Sequence, residues 1–168
     1  MGFSVTISSA IILISLIAVG GTISGALLYA SFIILPEINM YVETQRTMLN
    51  IQLDLSIENI SNSSCNITVS NTGSRTIFMG GGHNNTIIIS YGTPWRTFIV
   101  EDYTVLEIKV SGTTSTFDPD SHRYINPGEE ARIEINIPSN APDIQSGDTV
   151  IVVFASHYGV STQAEGVR

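Results

Sequence analysis

Residues 51–58 read Ile-Gln-Leu-Asp-Leu-Ser-Ile-Glu, and their strict apolar–polar alternation decides the fold. A period of two puts Ile51, Leu53, Leu55 and Ile57 on one face of an extended strand and leaves Gln52, Asp54, Ser56 and Glu58 to water. The alternation returns with Cys65, Ile67 and Val69 against Asn66, Thr68 and Ser70, and the turn-forming run Asn71-Thr72-Gly73-Ser74 closes it. Further strands are predicted at 86–91, 97–100, 104–110, 130–137 and 149–157. Between them stand Gly80–Gly82, Gly92-Thr93-Pro94, Gly112, Asn126-Pro127-Gly128, 138–142 and Ser146-Gly147-Asp148, breakers with defined turn chemistry. About seven short strands with no helical pattern between them predict an all-β, immunoglobulin-like sandwich of two antiparallel sheets over residues 50–168.

Toward the N-terminus the period of two disappears. Residues 36–49 read as a junction, where Pro36 is expected to limit a helix and Glu37, Asn39, Glu43, Gln45 and Arg46 restore polarity. No charged side chain occurs from Met1 to Pro36, and residues 5–35 are almost wholly apolar or small. A bilayer core takes about 20 helical residues, so residues 1–35 are predicted to form one transmembrane anchor helix. Within 7–28, six Ile, four Leu and Val19 favour insertion by about 3 to 7 kcal/mol, offset in part by Ser, Thr and Gly. A cleaved secretory signal would carry a basic n-region and an apolar core of about 7–15 residues. Here no Lys or Arg precedes Arg46 and the apolar run is far longer, so a retained anchor is expected. Gly21 and Gly25 form a Gly-x-x-x-Gly pair that would let two helices approach closely.

With only 13% charged residues and a net charge of −8, the 168-residue chain has nothing to attract nucleic acid or anionic lipid electrostatically. Asn-x-Ser/Thr sequons begin at Asn59, Asn62, Asn66 and Asn84; beside an anchor they favour a C-terminal domain outside the cell, with possible N-glycosylation. Cys65 is the only cysteine, so no internal disulfide forms; it reads as a small, half-buried apolar residue, with an intermolecular bridge as the sharper alternative. Trp95 is expected to pack in the core or lie partly buried in the sandwich rather than serve as a ligand platform.

Candidate chemistry is sparse. His83, His122 and His157 lack metal-ligand spacing and read as solvated or capping residues. Asp118-Pro119-Asp120 with Ser121-His122 matches neither a Ca²⁺ loop nor a triad, and reads as a polar turn. Gly80-Gly81-Gly82-His83 lacks the Gly-Lys-Ser/Thr ending of a phosphate loop. Glu129 and Glu130, adjacent on a strand, point to opposite faces and cannot share acid–base work. No catalytic residue, metal site or cofactor is expected, and the chain reads as a non-enzyme.

The opening Met1-Gly2-Phe3-Ser4-Val5 running into 7–17 resembles the FlaF family of archaellum accessory proteins, and Ser70–Ser74 and Pro127-Gly128 before a strong strand fit it. The resemblance implies a stator: a cytoplasmic-membrane anchor whose sandwich lies beneath the surface layer, binds surface-layer protein, dimerises, and meets other archaellum components. Three alternatives stay open. An archaellin or type IV pilin-like filament subunit shares the helix-plus-sandwich plan, although basic residues ahead of a cleavage site would be expected before its helix. The sister FlaG family is a closer alternative, set apart only by the Met1-Gly2-Phe3-Ser4 opening. An anchored extracellular binding module or enzyme would need a sizeable pocket with convergent polar groups.

Overall fold

The computed structural model describes residues 2–80, 85–100 and 103–168. Two compact units divide it, Met1–Gln45 and Arg46–Arg168.

The first unit is helical. α1 spans Gly2–Tyr29, Ala30–Ile34 form one π-helical turn, and α2 spans Leu35–Leu49. Whether the helix resumes after Pro36 is open from sequence alone, and the structure carries it on to Leu49. Proline lacks an N–H and its ring crowds the carbonyl four residues back. The wider π turn directly ahead of it, with the Leu35 N–H bonded to the Ala30 carbonyl, opens the room that the ring needs.

The second unit is a β-sandwich, as the alternating runs require. One sheet holds five strands in the order β1-β2-β9-β6-β7, formed by Leu53–Ile60, Ser64–Asn71, Glu129–Asn136, Tyr103–Val110 and Thr116–Phe117. The other holds β11-β10-β4-β5, from Ser161–Val167, Thr149–Ala155, Thr86–Tyr91 and Arg96–Val100. A two-stranded ribbon pairs β3, Ile77–Phe78, with β8, Tyr124–Ile125. Every pairing is antiparallel.

Alternate residues of the two sheets meet in the core. Cys65, Ile67 and Val69 of β2 and Ala131, Ile133 and Ile135 of β9 are fully buried, as are Ile87 and Ile89 of β4 and Val150, Val152 and Phe154 of β10. Registers put like with like: Ile67 opposite Ile133, Val152 opposite Ile89. Each such side chain contributes about 1.5–3 kcal/mol by leaving water.

The longest strand missed from sequence is β11. Its inward positions are Thr162, Ala164 and Gly166, too small to mark an apolar period. Gly166 lies close to β1: a Cβ there would stand 3.2 Å from Ile60 Cδ1 and 3.4 Å from Ile57 Cδ1, the flexible ends of two side chains. The antiparallel ladder with β10, from Thr149↔Val167 to Ala155↔Ser161, holds this strand, and its small inward residues let it pack on β1.

Candidate functional site: an apolar helix and two unlike sheet faces

In the helical unit the apolar side chains face outward on every side: Ile11, Leu16, Val19, Leu27 and Phe32 are all more than half exposed. A helix apolar all round is built for lipid or for other helices. Val5–Leu49 makes a 45-residue helix long and apolar enough to cross a membrane. Its hydroxyls turn back on their own backbone, Ser15 Oγ donating to the Ile11 carbonyl (2.9 Å), Thr22 Oγ1 to Val19 (2.8 Å) and Ser31 Oγ to Leu27 (2.9 Å). These bonds satisfy donors that find no partner in an apolar surround. At Gly21 and Gly25 no atom lies within 4 Å of an added Cβ, so the backbone there is open to close approach.

The sandwich presents two unlike outer faces. On the five-stranded sheet Thr68 Oγ1 donates to Glu58 Oε1 (2.6 Å), and Lys109 Nζ meets Glu130 Oε1 at 3.1 Å. Arg132 Nε lies 2.8 Å from Glu58 Oε2, an ion-pair contact whose N–H is not aligned for a hydrogen bond, and Arg132 Nη1 lies 3.9 Å from Glu107. Pairs this exposed are screened by solvent and add little stability; their main effect is to keep the face hydrated. The four-stranded sheet instead turns Ile88, Ser90, Ile99, Ile151 and Val153 outward, with Ile99 63% exposed. Only Glu165 of β11 breaks that neutral surface.

The predicted polar turn at Asp118–Asp120 exists: the Asp120 N–H donates to Asp118 Oδ1 and the His122 N–H to the Asp118 carbonyl. His122 itself is neither solvated nor a cap. Its ring stacks on Phe117 at 4.5 Å, lies 4.0 Å from Tyr124, and places Nε2 3.0 Å from Glu129 Oε2. Glu129 also accepts from the Asn126 N–H (2.7 Å) and from Asn126 Nδ2 (3.2 Å). Burial alone would raise its pKa, but these donors overcome the penalty and hold the carboxyl below its ordinary range. With its lone pairs committed, this carboxylate braces the turn into β9. Glu130 points the opposite way, to Lys109, as adjacent strand positions demand.

Asn59 is exposed on β1 and Asn62 in the following turn, where its Oδ1 accepts from Arg168 Nη2 at 2.6 Å. Asn66 sits half-buried in β2 with Oδ1 enclosed and unpartnered. Asn84, His83, Gly81 and Gly82 lie outside the described residues. The His157 N–H donates to Asn85 Oδ1 at 3.0 Å. Trp95 is 56% exposed in the Gly92–Trp95 turn, so it is not packed in the core and is at most partly buried. Cys65 is fully buried, and burial pushes its thiol pKa up to about 11. Among the described residues no group of three His, Cys, Asp or Glu side chains is placed to hold a metal ion.

The Asn71–Ser74 run, read from sequence as a turn, is a clasp. Asn71 is buried, its Nδ2 donating to the carbonyls of Arg75 (2.7 Å) and Ile125 (2.9 Å), and its Oδ1 accepting from the Gly73 N–H (3.1 Å). The turn then bonds the start of the sandwich through Thr72 N and Gly73 N to the Gln52 carbonyl and Ser74 N to the Asn50 carbonyl.

Comparison with known proteins bears on helix and sandwich together. Chain of the archaeal flagellum of Methanospirillum hungatei strain JF1 superposes with a TM-score of 0.61 at 16% identity, covering 96% of this chain and 92% of that one, a likeness of fold. The archaellum periplasmic stator complex of FlaF and FlaG from Sulfolobus acidocaldarius gives 0.44 at 16% identity over 70% of this chain and 88% of the other. FlaG from the same organism gives 0.43 at 15% over 68% and 100%. No curated protein matches. A family model described as archaeal-type flagellin matches residues 2–166. The chain belongs to the archaeal-type flagellin family, structural components of the archaellum.

Proposed function

We propose that this chain is a filament-type subunit of the archaellum, acting through contacts and not through catalysis. The observation that carries the reading is the family match across helix and sandwich at once, residues 2–166. An apolar, outward-facing helix is the element such a subunit needs, because before assembly lipid can hold it and after assembly neighbouring helices can bury it. Gly21 and Gly25 are where those helices come closest. The sandwich then lies outside the cytoplasmic membrane, with Asn59 the sequon best placed for a glycan.

A second reading, the accessory stator, is favoured by the Met1–Val5 opening that resembles the FlaF family. In it residues 1–35 stay in the membrane, and the sandwich, as a homodimer, holds surface-layer protein. Shearing filaments from cells and quantifying the chain in filament and envelope fractions separates the two. A filament subunit is a repeating protein of the sheared fibre; a stator remains with the envelope at a few copies per motor. Recovery as a soluble monomer, in neither the sheared fibre nor the envelope, refutes both.

A further inference from the structure

Where β4 turns into β5, the turn at residues 92–95 faces the loop at residues 142–148 that leads into β10. The two segments line a cavity of about 240 Å³. The loop is a fixed wall. Ile144 is fully buried, its N–H donates to the Asn62 carbonyl (2.9 Å), and the Arg168 guanidinium donates to the Ile144 carbonyl. The Gln145 N–H donates to Asp148 Oδ2 (2.8 Å), and the Gly147 N–H to the Arg168 carbonyl (2.9 Å). Tyr91 Oη ties β4 to this wall by donating to the Pro142 carbonyl at 2.6 Å.

Opposite charges converge on the cavity without meeting. Arg96 stands opposite buried Tyr91 in the β4–β5 register and lines one side, and Asp143 lines the other. Among the described residues no hydrogen bond or ion pair engages the Arg96 guanidinium or the Asp143 carboxylate. Both charges reach the Tyr91 phenol: burial first and then Asp143 push its pKa up, against the pull of Arg96. Trp95, the chain's only tryptophan, lies between the lining residues Pro94 and Arg96 and is more than half exposed.

This lining selects its occupant by chemistry. A bare cation is opposed by Arg96, and among the described residues no group of three His, Cys, Asp or Glu side chains could hold a metal ion. An anion is opposed by Asp143 and Asp148. A wholly apolar ligand would take the guanidinium and the carboxylates out of water with nothing in exchange. A neutral ring bearing several hydroxyls satisfies them all. Neighbouring hydroxyls donate to a carboxylate, another oxygen accepts from the guanidinium, and the C–H face of the ring covers the indole. Pockets for drug-sized ligands run to about 300–1,000 Å³, so this smaller one takes a single ring.

We propose that this cavity is a carbohydrate subsite, which takes the terminal uncharged pyranose of a glycan between Arg96 and Asp143, with Trp95 as its platform. The braced loop forms the site before the sugar arrives, which lowers the ordering cost of binding. The site stands under either reading of the chain, filament or stator.

The test uses the full chain in micelles of a detergent without a sugar headgroup. A single ring with so few partners binds on the order of 1 mM, so methyl glycosides of glucose, mannose, galactose and N-acetylglucosamine are titrated to about 50 mM. Emission from Trp95 reports the turn directly, since no other indole is present. At least one glycoside is expected to shift that emission saturably. By calorimetry, Asp143→Asn, Arg96→Gln and Trp95→Ala should each weaken its binding at least fivefold. All three side chains belong to exposed residues, so the melting temperature should stay unchanged. Glu165→Gln, on the outer face of β11, should leave binding as it was. A disaccharide ending in the same ring should bind at least as well as the methyl glycoside. Loss of binding on that extension would make this a site for free sugar and overturn the assignment to a glycan end. No saturable response to any glycoside, an equal response to sorbitol or glycine betaine, or undiminished binding by Asp143→Asn also overturns the proposal.

Discussion

Gly73→Ala tests the clasp between the Asn71–Ser74 turn and the first strand. A Cβ at Gly73 would stand 2.5 Å from Gln52 N and 2.7 Å from the Asn50 carbonyl oxygen, both backbone atoms with no rotamer to yield. The turn must move away by most of an ångström. Doing so stretches three bonds at once, Thr72 N and Gly73 N to the Gln52 carbonyl (2.9 and 3.0 Å) and Ser74 N to the Asn50 carbonyl (2.8 Å). Overpacking costs about 1–3 kcal/mol, and weakening three hydrogen bonds about 1–2 kcal/mol more. Reduced freedom of the unfolded chain returns about 0.4–1 kcal/mol. The net loss is about 3 kcal/mol, which for a domain of about 120 residues lowers Tm by roughly 10 °C. Gly166→Ala is the control. Its nearest neighbours are the flexible ends of Ile60 and Ile57 at 3.2 and 3.4 Å, which can rotate, so its effect stays within about 1 kcal/mol. Near-UV circular dichroism of the full chain in micelles follows the sandwich without the helix signal. Equal melting of the two variants would refute the argument that backbone proximity, not glycine as such, matters at Gly73.

Two further expectations follow from the buried groups. Because Glu129 is depressed, the stability it confers is present above its unfolded pKa of about 4.3 and is lost as pH falls through the folded value. Urea midpoints of Glu129→Gln should therefore change less between neutral and acid pH than those of the parent; parallel acid limbs would remove the brace assigned to this carboxylate. Cys65, fully buried with its pKa near 11, should resist iodoacetamide at about pH 8 until denaturant is added, and stoichiometric alkylation of the folded chain would contradict its place in the core.

Read along the chain, the central strands were legible because burial of alternate residues imposes a period of two, and Thr86–Tyr91 is bounded as expected. The short pairs Ile77–Phe78, Thr116–Phe117 and Tyr124–Ile125 hold too few residues to show any period. His122 was misplaced for a related reason: a single aromatic ring carries no periodicity, and its surroundings come from segments distant in sequence. The helix through Pro36 was hidden because the π turn that accommodates proline is a backbone adjustment with no residue signature.

The sequence by itself determined an uncharged apolar helix, a sandwich built from alternating strands, and the Met1–Val5 opening. Each is a local pattern, imposed by how a chain repeats in space. Only the tertiary structure decided that β11 lies against β1 at Gly166, that His122 meets Glu129, and that β5 stands at an edge of its sheet. Those depend on which segments become neighbours, and packing between distant stretches writes no period into either one.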